Sequence, residues 1–114
     1  MKINNFEEII SWQKTGELTF LIYKLFKNNR DFNFKDQIQR AAVSIGNNIA
    51  EGFERKGNNE FKHFLFMAKG SCGEVRSMTY LALRLGYVDN SDFDKIQSLC
   101  IEISKLISGL IKTL

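Results

Sequence analysis

Apolar residues recur at steps of three and four along nearly the whole chain, and the polar breaks between these runs are short. That spacing predicts amphipathic helices, and no stretch alternates with period two for long enough to predict a strand. A first helix is predicted from a cap at Asn4 or Asn5 to about Asn28. Glu7 and Glu8 fall in its first turn, where the helix dipole favours acids. One of its stripes holds Phe6, Ile10, Leu18, Leu21, Ile22 and Leu25, and a second holds Ile9, Trp12, Phe20 and Tyr23. The run "NNRDFN" breaks it. A second helix follows from Phe34 or Lys35 to Phe53, with Ile38, Ala42, Ile45, Ile49 and Phe53 inward.

After "RKGNN", Asn58 or Asn59 is placed to cap a third helix that ends at Leu85, with Gly86 as its C-terminal glycine. Its core stripe reads Phe61, Leu65, Ala68, Cys72, Val75 and Thr79. Ser91 is the expected cap of a fourth helix, whose Phe93, Ile96, Cys100, Ile103, Ile107, Leu110 and Leu114 form a heptad seam. Short connections imply antiparallel neighbours. The expected fold is therefore all-α: one domain over residues 1–114, built as an antiparallel up-down-up-down four-helix bundle.

The third helix has too little polar surface for a lone bundle. Opposite its core stripe lie His63, Met67, Gly70, Glu74, Ser77 and Leu81. Glycine inside a helix costs about 1 kcal/mol relative to alanine, so Gly70 and Gly73 imply an offsetting gain. Two readings fit: tight packing inside one bundle, or a second subunit over that face. The second apolar stripe of helix one supports the oligomer, because a lone bundle leaves Trp12 or Phe20 partly exposed. Between these faces runs Lys62, Phe66, Lys69, Gly73, Arg76, Tyr80 and Arg84. Cations beside flat rings suit a phosphate backbone with stacked bases. The alternative is a solvated flank whose long stems cover apolar surface.

Composition narrows the chemistry. The 114 residues are 44% hydrophobic and 25% charged, as in ordinary folded domains, and the net charge of +3 permits an acidic partner without demanding one. With no apolar run long enough to span a bilayer and no visible signal peptide, the expectation is a cytoplasmic protein with no membrane association. Cys72 and Cys100 both fall on apolar stripes and read as reduced core residues. Glu60 and His63 have the spacing of half a di-iron site, but His63 is the single histidine, so no metal or other cofactor is expected. Glu51 and Glu74 could pair as carboxylates. Buried arginine–glutamate hydrogen bonding explains them better than acid–base catalysis, and no catalytic residue is assigned.

Three runs, "IQRAAVSIGNNIAEGFER", "EFKHFLFMAKGSCGE" and "LALRLGY", together with the opening "FEEIISWQKTGEL", resemble the four-helix-bundle proteins of the 23S rRNA intervening-sequence family. The resemblance spans nearly the whole chain in order. It departs at Gly46 and Asn47, where that family usually carries a proline and a small residue. It implies a ring-like homopentamer and a bacterial, non-enzymatic protein. The same family includes the accessory variability determinant of diversity-generating retroelements, which implies nucleic acid and a reverse transcriptase as candidate partners. Its motif falls here on Arg40, Ser44, Asn48, Glu51, Gly52, Gly70, Ser71 and Glu74.

Along helix two, Arg40, Ser44, Asn48, Glu51 and Arg55 step by four, four, three and four. Small residues there, with Gly52, are expected to let helix two approach helix three at Gly70 and Ser71. Ser44, Asn48, Glu51 and Glu74 would then share a polar network across the contact. The functional expectation is an oligomeric scaffold that binds nucleic acid or a nucleoprotein partner through Lys62, Phe66, Lys69, Arg76, Tyr80 and Arg84. Lys24, Lys27 and Arg30 are the next candidates for that surface. The alternative is a purely structural or protein-binding module without nucleic-acid affinity.

Overall fold

The computed structural model describes residues 2–114. A single 3₁₀ turn, Phe6–Glu8, leads into four helices: α1 Ile10–Phe26, α2 Phe32–Glu54, α3 Asn58–Arg84 and α4 Asn90–Lys112. Each helix packs on two others, α1 on α2 and α4, and α3 on α2 and α4, so the four close a ring around one core. The body is 43 Å long and 22 by 19 Å across. That length matches α3, whose 27 residues rise about 40 Å.

The core stripes of α2, α3 and α4 fall where the periodicity puts them. Ile38, Ala42, Ile45 and Ile49, then Phe61, Leu65, Ala68, Cys72, Val75 and Thr79, then Ile96, Cys100, Ile103 and Ile107 are all buried, while Phe53, Phe93, Leu110 and Leu114 at the stripe ends are half-buried against the core. α1 differs. Ile10 is 52% exposed, and the buried face is Ser11, Thr15, Leu18, Ile22 and Phe26. The 3₁₀ turn is the cause: Ile9 breaks the α-helical run with extended torsions, so the α-helical phase starts at Ile10 rather than near Phe6.

Asp31 caps α2 by accepting from the Phe34 amide at 3.2 Å. One cap also moves: Asp89, not Ser91, caps α4 by accepting from the Asp92 amide at 2.8 Å. α3 starts at Asn58 behind Gly57, whose φ of 95° suits glycine, and no side chain caps it. Its far end is as expected. Gly86 has φ 75°, its amide donates to the Leu83 carbonyl at 3.1 Å, and the Tyr87 amide donates to the Ala82 carbonyl at 2.8 Å. This is a Schellman motif, which satisfies two carbonyls of the last turn.

Along α2 and α3 the partners run in opposite order. Gln37 meets Glu74, Ser44 meets Ser71, and Gly52 meets Phe64.

Candidate nucleic-acid interface and the polar seam

The contact between α2 and α3 is built around two small residues and one glycine. Ser44 Oγ lies 3.0 Å from Ser71 Oγ. Asn48 Nδ2 donates to both the Ser44 carbonyl (2.8 Å) and Ser44 Oγ (3.0 Å). These three side chains form a connected hydrogen-bonded set that bridges the helices. A turn further on, a Cβ at Gly52 would stand 2.6 Å from Phe64 Cβ and 3.1 Å from Phe61 Cδ1. Gly52 is therefore the glycine that close approach requires.

The rest of the expected network does not assemble. Glu51 pairs with Arg55 of its own helix at 2.7 Å, and Arg55 also reaches Glu60 at 3.7 Å. Arg40 pairs with Asp36 at 3.0 Å. Among the described residues, Glu74 accepts only a long 3.4 Å bond from Gln37 Nε2. Glu51, Glu74 and Arg40 are all exposed, so they are surface groups rather than buried partners. Gly70 also lies outside the contact: nothing stands within 4 Å of a Cβ built there. It belongs with Met67 and Leu81 on the outward face of α3.

The basic stripe splits into two kinds of cation. Lys69 Nζ donates to Ser108 Oγ at 2.8 Å. Arg76 Nε donates to Gln97 Oε1 at 3.2 Å, while Gln97 Nε2 donates back to the Arg76 carbonyl at 3.0 Å. Both cations thus clamp α3 to α4 through neutral oxygens. Arg84 extends outward and Lys62 is half-buried. Among the described residues, none of these four cations makes an ion pair. Phe66 and Tyr80 are exposed on the same stripe, and Tyr80 meets Phe93 edge-on at 5.1 Å.

Gln97 is not among the residues that the periodicity selects. It sits inside the heptad seam beside Ile96 and is 7% exposed, and a glutamine in that position was the available signal. Asp31 and Tyr87 also went unpaired in the sequence, being far apart in the chain. Tyr87 Oη donates to Asp31 Oδ2 at 2.6 Å. That bond holds the Asp31 carboxyl below its ordinary range, with the Phe34 amide adding to the effect, and holds the Tyr87 phenol above its own.

The cysteines are free and buried, as expected. Cys72 Sγ donates to the Cys100 carbonyl at 3.2 Å. The Cys100 thiol is pushed far up, first by the adjoining Cys72 thiol and then by burial. Among the described residues no group of three or more acidic, histidine or cysteine side chains could hold a metal ion, and no helix is long and apolar enough to cross a membrane.

Four helices closing on one core, a seam of serine and asparagine between two of them, and a basic flank define a small helical-bundle protein. The sequence profile of the 23S rRNA-intervening sequence protein family matches residues 7–109, and the chain belongs to that family. The fold is similar to the crystal structure of a protein of unknown function from the S23 ribosomal protein family of Bacteroides thetaiotaomicron VPI-5482. That match has a TM-score of 0.83 and 27% identity, and covers 90% of this chain and 98% of that one. No curated protein matches the chain.

Proposed function

We propose that this protein is a non-enzymatic, cytoplasmic scaffold. In this reading the helices run antiparallel, up-down-up-down, and copies associate as a ring-like homopentamer. The ring binds RNA or DNA, or a nucleoprotein partner such as a reverse transcriptase, through the α3–α4 flank. The observation that carries the nucleic-acid reading is the state of Lys62, Lys69, Arg76 and Arg84. Lys69 and Arg76 are positioned by Ser108 and Gln97 without being neutralised, and no acid pairs with any of the four among the described residues. A cation ordered by a neutral acceptor keeps its charge for a phosphate. Phe66 and Tyr80 offer exposed rings on the same line. The monomer's +3 is modest, and a ring repeats it in every subunit.

A second reading, a structural or protein-binding module without nucleic-acid affinity, draws on a different observation. Phe20, 73% exposed on α1, and Met67 and Leu81 on α3 leave apolar surface outside the core. Size exclusion with light scattering, run alone and with a single-stranded oligonucleotide, separates the readings. A fivefold mass that rises with oligonucleotide supports the scaffold. A fivefold mass with no uptake supports the second reading. A monomeric mass at micromolar concentration contradicts both.

A further inference from the structure

A cleft of about 600 Å³ opens between the start of α1 and the end of α4, clear of the α3–α4 flank. Its volume lies within the range of small-molecule sites. Ile3, Ile9, Ile10, Leu106 and Leu110 make its walls apolar, and Gly109 leaves the α4 side open, with nothing within 4 Å of a Cβ built there.

Three polar features converge on this apolar space. Ser11 lines the cleft at 2% exposure, and its Oγ has no hydrogen-bond partner, the one such buried side-chain atom among the described residues. A buried hydroxyl without a partner costs roughly 1–3 kcal/mol, so it marks a place where a partner is missing. α1 begins at the same point without a side-chain cap and with no acid in its first turn. Its first amides and the positive end of its dipole are left for an acceptor. Lys105 lines the opposite wall and has no ion pair among the described residues. Glu8, also on the lining, is the one opposing charge, and it disfavours a head group with more than one negative charge.

We infer that this cleft binds a small monocarboxylate with an unbranched apolar tail, a medium-chain fatty acid. The carboxylate accepts from Ser11 Oγ, the α1 amides and Lys105, and the tail lies along the isoleucine and leucine walls. A fully polar acid would leave the walls unfilled, and a plain alkane would leave Ser11 unpartnered.

Isothermal titration with octanoate, octanol and octylamine on the full chain tests this. The expected result is saturable binding of one octanoate per chain, with octanol at least tenfold weaker and octylamine weaker still. Ser11→Ala and Lys105→Gln should each weaken octanoate by roughly tenfold; Lys105→Gln should leave octanol unchanged, and Ser11→Ala should weaken it less than octanoate. Gly109→Leu, which fills the α4 side, should abolish binding of both with the melting temperature retained. Absence of saturable octanoate binding overturns the inference. So does octanoate affinity unchanged in Ser11→Ala, which would mean that the hydroxyl serves only a buried water.

Discussion

A Cβ placed on Gly52 would come within 2.6 Å of Phe64 Cβ, closer than two such atoms can stand. The neighbour is the root of a side chain on α3, not its flexible tip, so relief requires the helices to part. Gly52→Ala should therefore destabilise the protein by about 1–3 kcal/mol, the usual cost of overpacking. Urea unfolding monitored by circular dichroism reads this directly.

Gly70 is the contrasting glycine. A Cβ there meets nothing within 4 Å in the single chain, so Gly70→Ala should stabilise an isolated bundle by up to about 1 kcal/mol through helix propensity. Gly70→Leu should keep the single-chain fold and disrupt assembly, because the proposed ring covers that face. Light scattering and a thermal melt on the same sample separate the effects. An intact ring with Gly70→Leu would remove this face from the interface.

Within the α2–α3 seam, Ser44 has two side-chain partners and Ser71 has one. Ser44→Ala should cost about 1–2 kcal/mol and Ser71→Ala about half that, since Asn48 still satisfies Ser44 in the second variant. Glu51→Gln and Glu74→Gln should each change stability by less than about 1 kcal/mol, as exposed pairs do. Chemical unfolding of all four variants checks the order.

The Asp31–Tyr87 bond gives a pH signature. Asp31 has a lowered folded pKa, so its contribution is complete above about pH 4 and is lost as pH falls through the folded value. Tyr87 has a raised one, so its contribution is complete below about pH 10 and is lost as pH rises through the folded value. The stability gap between the native protein and Tyr87→Phe should be flat between these limits and shrink beyond both. Melting temperatures across that span read it, and a gap that narrows near neutrality would contradict the assignment.

The fold was legible where one signal dominated. α3 and α4 carry unbroken three-four stripes, and Gly86 left its helix end little choice. The caps were less legible because Asn29, Asp31 and Asn33, and then Asp89, Asn90 and Ser91, are all capable of the role. Only the backbone path selects Asp31 and Asp89. The ladder on α2 misled for a related reason. Steps of four place residues side by side on one helix, so Asp36 takes Arg40, and Arg55 takes Glu51 at 2.7 Å while reaching Glu60 of α3 only at 3.7 Å. In the candidate site, the cations of α3 were visible in the sequence. Their anchors Gln97 and Ser108 were not, because the reach between α3 and α4 depends on the register of the two helices.

The most direct measurement is the salt dependence of single-stranded RNA binding by fluorescence anisotropy, comparing the native protein with Lys62→Gln/Arg84→Gln. Neither residue clamps α4, so assembly should be untouched. Affinity is expected to fall linearly on a log–log plot against salt. The double variant is expected to bind more weakly to all sequences alike, with a slope shallower by about 0.7 for each phosphate no longer neutralised. No binding at low salt, or an unchanged slope in the variant, would contradict the nucleic-acid reading.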